Sequence, residues 1–199
     1  MIQQITAEFV SSCLGKLFCS ILNQRLMEHV NSLDILHNSQ IGFLPNNRTA
    51  DHVLTLRTLI DKYVHCHQEK VYACFVDFRK AFDSVWHDGL LYKLLEINVG
   101  GNFYDLIKSL YYNSTGSVRI RDLSPLLSNL YINDLPYSFE NILSDPFVLP
   151  NGTKLSSLLY ADDLIILSRS KAGLQNCLNA LAQYCRSWML NINPKKPRL

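Results

Sequence analysis

Charge is scarce in this chain. Acidic and basic side chains make up only 18% of its 199 residues, below the roughly one quarter usual in globular domains, which argues against a disordered tail or a coiled coil. Eight glycines and seven prolines are too few for a low-complexity segment. No apolar run approaches the roughly 18 residues of a membrane span; the most apolar stretch, 155–167, is interrupted by Asp162 and Asp163. The N-terminus has no basic cluster ahead of an apolar run, and Glu8 falls early, so a secretory leader is not expected. The six cysteines (Cys13, Cys19, Cys66, Cys74, Cys177 and Cys185) form no CxxC pair. Their scatter reads as reduced, mostly buried thiols in an intracellular protein, in nucleus or cytoplasm. His65, Cys66 and His67 are adjacent and point in different directions, which is poor zinc spacing.

What is present is core. Hydrophobic residues reach 48%, ample for one domain or for a small lobe packed on a larger one. Net charge is only +2, but residues 164–199 carry six Lys/Arg and no acid, while the preceding 163 residues hold 13 basic and 17 acidic groups. A basic end beside an acidic body suits a polyanion contact, but on charge alone a solvated helix face is the better explanation.

Apolar spacing predicts a helix over 10–30 and another beginning at Thr49 as its cap, with an Asn/Gly/Pro-rich loop over 38–49 between them. Residues 71–78 (VYACFVDF) are apolar on both alternating faces and read as a central strand ending at Asp77. Short helical turns broken near Gly89 follow, then a helix over 103–111, a short strand over 117–121, and a helix over 123–135 capped by Ser124 with Pro125 in its first turn. Two hairpins come next, one turning at Asn151-Gly152 and one at Ala161-Asp162-Asp163. An amphipathic helix over 171–189 closes the pattern. The order implies an α+β fold.

Acids at the ends of oily strands need a reason. An Asp-containing turn is common, but Asp77 ends a strand that otherwise reads as core, where an uncompensated charge is expensive. One arrangement explains both: the first strand lies beside the second hairpin, so that Asp77 meets Asp162 and Asp163 at one sheet edge. Three carboxylates that close repel one another. Hard divalent cations remove the conflict, Mg²⁺ above all, and two ions roughly 4 Å apart are the common device for in-line phosphoryl transfer.

The same residues carry a family likeness. Gln40-Ile41-Gly42-Phe43, Phe75-Val76-Asp77-Phe78-Arg79-Lys80-Ala81-Phe82-Asp83, Leu123 to Leu135 (LSPLLSNLYINDL), Tyr160-Ala161-Asp162-Asp163 and Leu190-Asn191-Ile192-Asn193-Pro194-Lys195-Lys196 stand in the order seen in the reverse transcriptase domain of non-LTR (LINE-type) retrotransposons. The chain resembles that domain over nearly its whole length. The resemblance implies a right-hand polymerase: helical fingers over 1–70, an antiparallel palm sheet backed by helices over 71–199, and no thumb. It implies RNA-directed DNA polymerase chemistry, in which a DNA primer on an RNA template is extended from dNTPs with two Mg²⁺ ions, or Mn²⁺ in their place. Asp77 and Asp162 are implied as the main catalytic metal ligands, Asp163 as the third member of the acidic cluster, either a ligand or an orienting group, and the main-chain carbonyl of Phe78 as facing the triphosphate metal. Lys196, in an Asn-x-x-Lys motif, is implied as general acid to the leaving pyrophosphate. Phe82 is implied beneath the incoming sugar, so Phe82→Val is expected to admit ribonucleotides in an extension assay. Tyr160 completes the substrate-binding set; Arg48 and Lys80 join it as phosphate contacts, with plain surface solvation an equal alternative for each. No membrane partner is implied, and the oligomeric state is left open.

The chain also departs from the pattern. The family's Gln-Gly loop, which lets the backbone approach template and base, is absent where Arg121 runs into Asp122, and Leu44 stands where relatives carry a basic residue. Little chain precedes the likeness and little follows Lys196, so an endonuclease and a thumb are not expected in it. The expectation is therefore a fragmentary copy with weak or no activity. The alternative is a catalytically inactive remnant that at most binds nucleic acid or protein; a maturase-like or structural use of the fold has no specific support.

Overall fold

The computed structural model describes residues 13–44, 47–79, 85–112 and 123–193. In chain order its elements are α1 (Cys13–Ser32), α2 (Thr49–Leu59) continuing as a π-helical stretch (Ile60–Cys66), β1 (Tyr72–Asp77), α3 (His87–Glu96), α4 (Gly101–Tyr112), α5 (Ser124–Tyr131), α6 (Leu135–Glu140), β2 (Phe147–Val148), β3 (Lys154–Leu155), β4 (Ser157–Tyr160), β5 (Asp163–Ser168) and α7 (Lys171–Ser187). They fall into two compact units, one within 1–36 and 85–131, the other within 37–84 and 132–199. No helix among the described residues is long and apolar enough to cross a membrane.

The first unit is helical. Leu22, Leu26 and Val30 of α1, Leu90, Leu91 and Leu94 of α3, Ile107 of α4, and Leu126, Leu127 and Leu130 of α5 are buried, each set spaced by the three to four residues that mark one helix face. α3 runs unbroken through Gly89, contrary to the expected interruption. Gly89 is there for contact: a Cβ would sit 2.6 Å from Cε3 of Trp86, so the indole lies directly on the helix backbone. The predicted 123–135 helix also stops early. α5 ends at Tyr131, a turn covers 132–134, and α6 starts afresh with Pro136 in its first turn, because a proline there forbids continuation of the preceding ladder. The predicted strand over 117–121 lies outside the described residues.

The second unit is built on an antiparallel sheet of order β1-β5-β4. β5, not β1, is the central strand. The apolar pattern of β1 misled because its second face is covered only in part: Phe75 stays 42% exposed. Beyond the end of β1, Phe78 bridges Ile192, and Arg79 N–H donates to Asn191 O at 2.7 Å. One sheet face, with Cys74, Val76, Leu164, Ile166 and Ser168, is buried, and α7 packs on β1 and β5. The opposite face carries a cluster of Leu158 and Leu167 with Leu59 and Tyr63 from α2 and its π-helical extension and Phe147 and Leu155 from the β2–β3 hairpin. That hairpin turns through Gly152 at φ +84, a conformation glycine adopts without cost. Residues 154–160 are not one strand: Ser156 separates β3 from β4.

Two helix starts show the local chemistry. Thr49 is the first helical residue of α2, not its cap. Arg48 holds the cap position at φ −134, and its N–H donates to the Asp51 carboxylate at 2.7 Å, the return half of a capping box. At α7, Ser170 caps by accepting from Gly173 N–H at 3.0 Å. A Cβ on Gly173 would fall 2.4 Å from Ser168 Oγ and 2.5 Å from the Ser144 carbonyl. Gly173→Ala therefore pushes α7 off β5 and is expected to cost about 1–3 kcal/mol, read as a lower urea midpoint. Among the described cysteines, Cys19, Cys74, Cys177 and Cys185 are buried and Cys66 is exposed, and burial pushes the Cys177 and Cys185 thiols up to about 11.

Candidate functional site

The backbone alone brings the acids together. β1 and β5 pair antiparallel with Asp77 opposite Asp163, and β4 and β5 pair with Tyr160 opposite Asp163. Only Ala161 and Asp162 remain to make the turn. Opposed residues of an antiparallel pair project to the same face, so Asp77, Asp163 and Tyr160 share a face at one end of the sheet. Phe78 N–H donates to Asp162 O at 3.4 Å, which ties the turn to the residue after Asp77. Asp77 and Asp162 are half-buried and Asp163 is exposed.

Asp77 is held from the far side. Asn193 donates its backbone N–H to the Asp77 carbonyl at 2.8 Å and its side-chain Nδ2 to Asp77 Oδ2 at 2.9 Å. The turn is held from the segment before α2. Ile41 N–H donates to Leu159 O at 3.1 Å and Leu159 N–H to Ser39 O at 2.8 Å, a short parallel pairing alongside β4. His52 Nε2, from α2, lies 2.9 Å from the same Leu159 carbonyl. Gly42 lies so close that a Cβ there would be 2.2 Å from Ala161 N. Ala161 itself has φ +57, in the left-handed region that costs a residue with a Cβ about 1–2 kcal/mol.

A cavity of about 340 Å³ lies beside the acids, walled by Val53 and Leu56 of α2 and by Phe75 and Ile165 of the sheet, with Asp77 and Asp163 on its lining. Of the residues singled out from sequence, Asp77, Phe78, Tyr160, Asp162 and Asp163 come together. Arg48 lies exposed ahead of α2, next to Thr49, which lines the cavity. Lys80, Phe82 and Lys196 lie outside the described residues. Gln40, His52 and Asn193 are contributors that spacing did not single out; Gln40 and Asn193 sit inside the quoted motifs, but their partners are 121 and 116 residues away in sequence.

The donor set is all oxygen, which suits a hard divalent cation rather than zinc. Among the described residues, however, no group of three or more His, Cys, Asp or Glu is arranged to hold a metal ion. The convergence is one of strand register, with the carboxylates sharing an edge without closing into a cage.

The family model "Reverse transcriptase (RNA-dependent DNA polymerase)" matches residues 9–199. The chain belongs to the reverse transcriptase family. Among its curated relatives, the probable RNA-directed DNA polymerase from transposon BS of Drosophila melanogaster is 30% identical over 210 residues, covering 93% of this chain and 22% of the relative. The RNA-directed DNA polymerase from mobile element jockey of the same species is 26% identical, covering 92% and 22%. A Pol polyprotein from the type-1 retrotransposable element R2 of Popillia japonica is 27% identical, covering 78% and 27%. The resemblance to non-LTR retrotransposon reverse transcriptases is thus borne out, and the chain spans about a fifth to a quarter of the length of these relatives. Among solved structures, telomerase from Candida albicans, in complex with a fragment of telomeric RNA, superposes with a TM-score of 0.68 at 13% identity, covering 90% of this chain and 34% of that one. Apo telomerase from Candida tropicalis gives 0.66 at 14%, covering 90% and 36%. Those likenesses bear out the α+β palm fold.

Proposed function

We propose that this reverse transcriptase chain carries the nucleotidyl-transfer centre of an RNA-directed DNA polymerase, extending a DNA primer on an RNA template from dNTPs. The observation that carries the reading is the register that sets Asp77 opposite Asp163 with Asp162 in the adjoining turn. In the reaction the primer 3′-hydroxyl loses its proton to solvent and its oxygen bonds to the α-phosphorus of the dNTP, while the bond between the α-phosphorus and the α,β-bridging oxygen breaks and pyrophosphate leaves with the electron pair. Two Mg²⁺ ions, or Mn²⁺, would supply charge to stabilise the developing negative charge of such a displacement. Asp77, Asp162 and the Phe78 carbonyl are the residues that would hold them, with Asp163 completing the acidic edge. Asn193 fixes the Asp77 carboxylate. Tyr160 is assigned to the substrate side and Arg48 to a phosphate; for Lys80, Phe82 and Lys196, outside the described residues, the roles are those the family likeness implies: phosphate contact, sugar discrimination and proton donation to pyrophosphate. Residues 1–70 serve as fingers and 71–199 as palm, in an intracellular setting with no membrane.

A second reading, a remnant that binds nucleic acid or protein without catalysis, is favoured by one observation: the Gln-Gly pair is absent at Arg121–Asp122. Primer extension by the purified chain on an RNA template decides between them. The expected result is addition of a few nucleotides that requires Mg²⁺ and disappears in Asp162→Asn. Extension that survives that substitution contradicts the assignment of the aspartates. Duplex binding without any extension favours the remnant, and processive synthesis contradicts the expectation of weak activity.

A further inference from the structure

The aspartate turn has a left-handed Ala161 at its first position, where glycine would be at ease and alanine is not. The two-residue turn between β4 and β5 favours a positive φ there, and hydrogen bonds from outside the hairpin would offset the cost of the alanine Cβ. Gln40 supplies such bonds: its Oε1 accepts from Ala161 N–H at 3.1 Å and from Gly42 N–H at 2.9 Å, and its Nε2 lies 3.4 Å from Ala161 O. The side chain belongs to a residue only 2% exposed, so these bonds form away from competing water, where an amide left without partners is costly. One primary amide thereby grips both the N–H and the C=O of the residue that directs the chain into Asp162, and it also fixes the approach of Gly42 to that residue.

From this geometry we infer that Gln40 is a positioning residue, holding Ala161 left-handed and so setting where Asp162 and Asp163 stand relative to Asp77. The inference deepens the nucleotidyl-transfer reading and rests on it for its consequence, but the clamp is measurable separately. Gln40→Met keeps the length and bulk of the side chain and removes the amide. Gln40→Glu keeps an oxygen that accepts from Ala161 and Gly42. Amide hydrogen exchange followed by NMR on the full chain reads the clamp: Gln40→Met is expected to speed exchange at Ala161 about tenfold or more with the amides of β5 unchanged, and Gln40→Glu to restore it to within about threefold. Mn²⁺ titration followed by electron paramagnetic resonance reads the consequence, with affinity about tenfold weaker in Gln40→Met, the scale of losing a group that orients a ligand.

Exchange at Ala161 that does not change in Gln40→Met overturns the assignment. So does faster exchange at Ala161 and throughout β5 together, which would make Gln40 a general fold contact. If the unsubstituted chain takes up no Mn²⁺, the nucleotidyl-transfer reading fails, and the exchange result by itself decides the role of Gln40.

Discussion

Asp77→Asn and Asp162→Asn are each expected to reduce Mg²⁺-dependent extension by at least about 100-fold while leaving the fold intact. The lower bound comes from the weaker perturbation: removing a group that only orients a metal ligand costs about 10–100-fold, and removing a ligand charge costs more. Asparagine at 77 keeps an oxygen for the Asn193 Nδ2 that lies 2.9 Å from it, and a residue at 162 still offers Phe78 the same backbone carbonyl. Thermal unfolding in the absence of divalent ions adds a signed control. Asp77 and Asp163 face each other across the ladder with Asp162 adjoining, so replacing one carboxylate relieves like-charge repulsion. The unfolding midpoint is therefore expected to stay level or rise as activity falls. A midpoint that drops with activity would mean that these side chains support the fold rather than the reaction.

Gly42→Ala is expected to be the most damaging single methyl near the site. Its Cβ would lie 2.2 Å from Ala161 N and 2.8 Å from Ala161 Cα. Both atoms are backbone, so no side-chain rotation relieves the overlap. Either the 39–42 segment leaves β4, losing its exchange of hydrogen bonds with Leu159, or the aspartate turn moves. Overpacking of this kind costs about 1–3 kcal/mol, measured as a lower urea midpoint, and the extension rate is expected to fall further than stability alone explains. Gly100→Ala is a matched control, since a Cβ there meets nothing within 4 Å.

Local pattern made some of this legible before any coordinates. The 158–168 hairpin could be read because apolar runs flank two acids, and its partnership with Asp77 because neither position makes sense as plain core. The helix at 171 could be read from its regular apolar stripe alone, whereas nothing in that stripe singles out its Ser170 cap. What escaped depends on distant partners. The apolar pattern of β1 matched that of a central strand, yet β5 is central and Phe75 stays partly exposed. Gly89 resembles a breaker until Trp86 is seen lying on it. The α5–α6 break follows from Pro136, whose effect is easily missed because apolar residues recur at helical spacing up to Leu135. Gln40 and Asn193 act through hydrogen bonds spanning more than a hundred residues, which no spacing rule encodes.

Mg²⁺ titration calorimetry on the full chain, with dNTP and an annealed RNA–DNA primer-template present, tests the central claim most directly. The account predicts saturable Mg²⁺ uptake in excess of that shown by the dNTP and primer-template alone, and predicts that Asp77→Asn abolishes the excess. No excess over that background, or an equal excess with Asp77→Asn, would contradict it.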